Sequence, residues 1–175
     1  MLIKAGNRMK IAYVSSDKQG ETDLLLTAVA EQLSKDGCSL SGVVKEMNYA
    51  SSFENGCDMK VRVLPDGPVI KITQDLGAGS GACRLDPGAI ANAVSNVETG
   101  PLAQADLFIL NKFGPEEMAG RGFVSAIGSA ASFGVPVLVG VSRPNIPAFV
   151  AFSDELAQAL PPDFDAILNW SRAEI

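Results

Sequence analysis

Not one of the 175 residues is histidine. Without an imidazole, a Ser-His-Asp or Cys-His nucleophile pair and any histidine-based metal site are excluded. Cysteine is scarce: Cys38, Cys57 and Cys83 stand far apart, odd in number and without a C-x-x-C. That indicates neither a disulfide framework nor a zinc site, and no haem is expected. Nowhere do ~18 apolar residues run together, so no membrane insertion is expected. Positive charge is in deficit, with a net charge of −6 and a pI near 4.6. A nucleic-acid backbone is therefore not an expected partner, and no run of Lys or Arg marks a membrane-surface patch. Residues 1–8 are polar and hold no apolar segment of signal-peptide length, so the expected location is cytoplasmic. What remains for chemistry is carboxylates, hydroxyls, Lys, Arg, backbone amides and hard cations such as Mg2+.

Apolar residues are plentiful, at 47% of the chain against 19% charged. This predicts one domain over residues 1–175 with a sizeable core. Residues 9–14, 40–44, 105–110 and 135–141 are continuous apolar runs of strand length, the pattern of strands buried on both faces. Between them, residues 22–35 place apolar side chains at helical spacing and stop at Asp36-Gly37. Asp86-Pro87 reads as a cap and first helical position for a helix to about Val97. Residues 115–133 read as a helix interrupted near Gly120-Arg121-Gly122, and residues 146–160 as mostly helical, ending at Pro161-Pro162. Residues 135–141 are the last clear buried strand, and residues 164–170 a final helix or strand docked on the core. Residues 57–63 and 69–73 flank Leu64-Pro65-Asp66-Gly67-Pro68, which is turn chemistry. Strands alternating with helices through right-handed crossovers predict an α/β fold. Its form is a three-layer α/β/α sandwich with a mostly parallel sheet, the hairpin being an insertion or an antiparallel extension.

In open α/β sheets, ligands bind beyond the carboxyl ends of the strands. Four loops qualify: residues 15–20, 111–115, 142–145 and, if residues 69–73 join the sheet in parallel, 75–82. The first continues into a helix as Ser15-Ser16-Asp17-Lys18-Gln19-Gly20-Glu21-Thr22-Asp23. Laid on the phosphate-binding pattern G-x-x-x-x-G-K-[ST], Gly20 and Thr22 match, Ser15 takes the first glycine and Glu21 takes the lysine. A helix start offers unpaired N–H groups and a positive dipole end to a phosphate. Gly20 removes the Cβ that would block approach. Thr22 can ligate Mg2+ as well as cap, and Lys18 can supply the charge that Glu21 reverses. The alternative is an ordinary strand-to-helix turn capped by Thr22 or Asp23.

Asn111-Lys112-Phe113-Gly114 follows an apolar strand, where a Walker B acidic pair would hold Mg2+ and position water. Asn111 brings an amide without charge. Lys112 can face the phosphates and offset Glu21, or both residues can belong to a structural turn. Gly77, Gly79 and Gly81, with Ser80 between them, can form a backbone amide nest for an anion, and Arg84 can clamp it. Against that stands a flexible loop before a helix capped by Asp86. Arg121 is either a cation reaching a phosphate or a solvated surface residue. Asp58 and Arg62 flank an alternating strand and read as cross-strand partners; Trp170 and Phe164 read as core.

Taken together, these segments resemble an uncharacterised bacterial family, labelled as a domain of unknown function, whose genes often lie beside those of molybdate ABC transporters. The shared marks are Gln19-Gly20 with Thr22-Asp23, Cys57-Asp58-Met59, Leu64-Pro65-Asp66-Gly67, and Gln74-Asp75-Leu76-Gly77 with Gly79-Ser80 and Cys83-Arg84-Leu85-Asp86. Asn111-Lys112-Phe113-Gly114, Gly120-Arg121-Gly122-Phe123 and Val135-Pro136-Val137-Leu138-Val139-Gly140-Val141 complete them. More distantly, the arrangement is similar to small kinase-like P-loop nucleoside triphosphatases. The resemblance implies a P-loop NTPase fold and a link to molybdenum transport or cofactor metabolism.

The expected ligand is a nucleotide or small anion, with Mg2+ and ATP or GTP as the cofactor set. The leading expectation is a nucleotide-binding protein with a degenerate Walker A and Walker B and weak or no hydrolysis. A second is a non-enzymatic module that senses an oxyanion or docks on a partner. A third is a transferase using Asp17, Asp75 or Asp86 as base.

Overall fold

The structure, a computed structural model, describes residues 9–50, 58–74 and 84–175. Its strands are β1 (Ile11–Val14), β2 (Leu40–Lys45), β3 (Lys60–Val63), β4 (Val69–Lys71), β5 (Thr73–Gln74), β6 (Arg84–Leu85), β7 (Leu107–Phe113), β8 (Val137–Val141) and β9 (Gln158–Leu160). Its helices are α1 (Glu21–Lys35), α2 (Pro87–Glu98), α3 (Pro115–Met118), α4 (Val124–Ser132), α5 (Ile146–Phe152) and α6 (Phe164–Glu174). Seven strands form one sheet in the order β4-β3-β2-β7-β8-β1-β9. The five from β2 to β9 pair in parallel; β3 and β4 extend the sheet antiparallel beyond β2, and β5–β6 is a separate antiparallel pair.

Alternation along the strands builds two cores, because successive side chains leave opposite faces. Leu107 and Ile109 of β7 meet Leu26, Val29 and Leu33 of α1 and Ile167 and Leu168 of α6. Phe108 and Leu110 face the other way, onto Ile90, Ala93 and Val97 of α2, Ala126 and Ile127 of α4, and Phe149 of α5. The result is the expected α/β/α sandwich with a mostly parallel sheet. Beneath the carboxyl ends, Phe149 packs edge-on to Tyr13 (5.6 Å between centroids) and Phe113 (5.1 Å), tying β1 to β7 through α5.

Two expectations change. The stretch from 146 to 160 is not one helix. α5 ends at Phe152, Asp154 and Glu155 turn the chain at φ +52° and +59°, and β9 then pairs with Ala12–Val14 of β1. β9 is thus a further strand after residues 135–141, mostly exposed, so that 135–141 remains the last fully buried one. β3 and β4 form the expected hairpin as an antiparallel extension, and β4, antiparallel to a strand that is itself antiparallel to β2, runs in the direction of β2. Its carboxyl end thus emerges on the same side as those of β2 and β7. Finally, α1 opens at Glu21 with Gly20 at the N-cap, φ +78°, and no side chain caps it, so Thr22 and Asp23 are not used for capping. The interruption at 120–122 stands as expected, separating α3 from α4.

Gly42 lies opposite Ile109 in the β2–β7 ladder at φ +101°. A Cβ there would sit 1.9 Å from the Ile109 carbonyl oxygen. Left-handed strain adds to overpacking against backbone that cannot yield, so Gly42→Ala is expected to destabilise the protein by about 3 kcal/mol. Urea unfolding midpoints, with unchanged slopes, read this out.

Candidate functional site

Residues 15–20 cross the carboxyl edge of the sheet from β1 into α1. The Ser15 hydroxyl oxygen is buried without a hydrogen-bond partner, an uncommon state for a native polar atom. The Lys18 amide donates to Ser16 Oγ (3.1 Å), and the Ser16 hydroxyl donates to the Glu21 carboxylate. Lys18 Nζ lies 4.0 Å from Glu21 Oε1. Glu21 is thus turned back onto its own loop. Beside it opens a cavity of about 220 Å³ that Lys18, Gly20, Thr22, Asn111, Lys112 and Gly140 help to line, and Glu21 is not among its lining residues.

β7 delivers Asn111 and Lys112 to this cavity through a local irregularity. Its register against β8 runs Leu110↔Val139 and then Phe113↔Val141, so β7 carries one extra residue there. Such a bulge re-aims side chains at a strand end. Gly140 sits opposite it: a Cβ at Gly140 would lie 2.1 Å from the Asn111 carbonyl oxygen and 3.0 Å from Thr22 Cγ2. The missing side chain is what lets the first turn of α1 settle against both strands. Asn111 is buried, and its Nδ2 reaches Asp23 Oδ1 at 3.5 Å, the long limit of a hydrogen bond. Lys45, at the end of β2, holds the other oxygen of Asp23 at 3.8 Å. Lys112 is exposed and has no ion-pair partner among the described residues.

The remaining predicted residues scatter. Gln19 lines the cavity rim. Asp17, exposed, pairs with Arg143 at 2.5 Å. Asp86 caps α2, accepting from the amides of Gly88 (2.9 Å) and Ala89 (3.1 Å), which occupies the carboxylate proposed as a base. Arg84 is exposed on β6. Arg121 donates twice to Glu116, at 2.9 and 3.2 Å, and lines a groove along α2 rather than the small cavity. Arg62 of β3 pairs across the strands with Glu46, just past the end of β2, and Asp58 is buried at the foot of the hairpin. Trp170 joins the α1 side of the core as expected. Asp75, Gly77, Gly79, Ser80 and Gly81 lie outside the described residues. Sequence reasoning missed Lys45, Gly140 and Glu117. A glycine inside an apolar strand was the available signal for Gly140; nothing local marked Lys45.

The fold is that of P-loop NTPase-like proteins. THEP1 from the hyperthermophile Aquifex aeolicus superposes with a TM-score of 0.61 and 14% identity, over 92% of this chain and 95% of that one. A human cancer-related nucleoside triphosphatase superposes with a TM-score of 0.59 and 14% identity, over 86% and 87%. These likenesses establish the fold alone. The chain belongs to the DUF2478 family, described as a protein of unknown function, which matches residues 11–170. It is also 30% identical over 165 residues to the molybdenum import ATP-binding protein ModC 2 of Bradyrhizobium diazoefficiens. That match takes in 93% of this chain but spans 18% of the relative's length.

Glu117 is a further buried group beside the site. Its two oxygens accept from the amides of Gly114 (2.9 Å) and Phe123 (3.1 Å), closing the 114–123 turn. Burial pushes its pKa above the ordinary 4.5, outweighing those two amides, which favour the charged form. The folded carboxyl therefore keeps its proton to a higher pH than the unfolded one. Above pH 4.5 the folded state binds more protons, and this group's contribution to stability falls as pH rises. The stability difference between wild type and Glu117→Gln is expected to move in the variant's favour from pH 4.5 upward. Denaturant melts across pH check the slope; a flat difference contradicts it.

Proposed function

We propose that the protein binds a nucleoside triphosphate with Mg2+ on the 15–22 loop, hydrolyses it slowly or not at all, and serves molybdenum import or cofactor metabolism from the cytoplasm. The observation that carries the reading is the open cavity at the α1 N-terminus. Gly20 meets nothing within 4 Å of a built Cβ there, and Lys112 stands exposed at the rim. Amides and dipole of a helix start suit an anion. The donor set fits Mg2+, which takes one or two carboxylates and completes its shell with phosphate oxygens and water. Thr22 and Asp23 would hold it, and bound there it would neutralise phosphate charge.

Slow turnover follows from the residues at the strand end. Hydrolysis needs a group that orients water and takes its proton. Asn111 and Lys112 do not serve as the base: an amide does not take up the proton, and a lysine ammonium has no lone pair to accept it. Lys112 instead offsets Glu21, so binding survives where chemistry is weakened. The molybdenum link rests on the printed name of the relative, of which this chain matches a part.

Calorimetry with ATP and GTP in Mg2+ tests the reading. Heat at millimolar nucleotide is expected, with phosphate release well below about 1 per second. Glu21→Lys, which restores the cation of the phosphate-binding pattern, should tighten nucleotide binding about tenfold, equivalent to roughly 1.4 kcal/mol. Absence of heat with both nucleotides, together with stabilisation by molybdate or sulfate in thermal melts, would replace this reading with oxyanion sensing.

A further inference from the structure

The small cavity does not stand alone. A larger one, of about 490 Å³, lies beyond the carboxyl ends of β2 and β7 and shares Gln19, Asn111 and Lys112 with it. Its floor is apolar, built by Val61, Leu110 and Phe123, all buried. Two of its walls carry carboxylates that are more than nine-tenths buried: Asp58, 6% exposed, at the foot of the hairpin, and Glu117, 7% exposed, on α3. Each Glu117 oxygen takes one backbone amide and keeps acceptor capacity. The Asp58 backbone is fixed by Tyr49, whose hydroxyl donates to its carbonyl at 2.6 Å.

This combination selects a ligand class. An apolar floor favours a flat body. Carboxylate oxygens accept and do not donate, so both groups reward N–H donors on a ligand and penalise acceptors. The volume lies in the range of small-molecule pockets. We propose that this larger cavity is a second binding site that takes a flat heterocycle of nucleobase size presenting an N–H edge to Asp58 and Glu117. It stands beside the proposed phosphate site and shares Gln19, Asn111 and Lys112 with it. The heterocycle is therefore either the base of a nucleotide that spans both cavities or a separate molecule next to the phosphates.

Guanosine is the probe, with inosine as the analogue lacking the exocyclic amino group, and Mg2+–tripolyphosphate as the independent probe of the loop. In calorimetry on the full chain, guanosine binds with a Kd of about 1 mM or tighter. Inosine binds about tenfold more weakly, as expected for one lost hydrogen bond to a charged group. Ile72→Trp, which fills the cavity from a half-buried wall position, removes guanosine binding and leaves the tripolyphosphate response unchanged. Asp58→Asn lowers guanosine affinity at least about tenfold. Competition between GTP and guanosine identifies the base of one spanning nucleotide; simultaneous binding identifies a second molecule. The site is overturned if guanosine gives no heat at millimolar concentration, or if circular dichroism shows Ile72→Trp folded and it binds guanosine as wild type does. A tripolyphosphate failure with guanosine binding intact removes the nucleotide-loop reading and leaves this one standing.

Discussion

The structure turns on the absence of a side chain at Gly140. The extra residue of β7 pushes the Asn111 carbonyl toward β8, and Gly140 is the partner that can accept it at that distance. The same gap lets Thr22 approach from α1. Three segments far apart in the chain therefore meet at one point on the carboxyl edge. Close-packed interiors transmit such shifts rather than absorbing them. Loop, helix start and strand end are consequently held as one unit.

Charge around that point is arranged differently from the motif the loop partly matches. The position of the phosphate-binding lysine carries Glu21, and the acidic strand end carries Asn111 and Lys112. A cation thus stands on β7, while a carboxylate, Asp23, stands on α1, contacted by Lys45 and Asn111. Both signs remain near the cavity, on exchanged elements. Positioning and charge neutralisation account for most of what a phosphate site needs for binding, whereas turnover also needs a correctly placed base. Such a site can retain a ligand after losing its chemistry.

The antiparallel extension explains why this edge is roomy. Because β3 runs against β2, its start, not its end, reaches the carboxyl side, bringing Asp58 and Met59 there. β4 then returns and delivers Ile72 and Thr73 to the same side. Together with α3, these segments wall a space that a purely parallel sheet would leave open. Two adjoining cavities result, one against the start of α1 and a larger one floored with apolar side chains.

The order of elements was largely legible because it depends on local pattern. Continuous apolar runs named β1, β2, β7 and β8, glycine pairs marked the α3–α4 break, and the missing histidine removed whole classes of chemistry. β9 escaped because Gln158-Ala159-Leu160 carries no strand signature of its own; its strand state comes from the hydrogen bonds β1 offers. Likewise, nothing near Lys45 in the chain announces Asp23, and nothing near Glu117 announces the amide of Phe123. The sequence by itself determined which segments are strands and helices and where a phosphate loop can sit. Only the tertiary structure decided which strand ends stand beside that loop, since strand adjacency and the close approach at Gly140 arise from packing between segments a hundred residues or so apart.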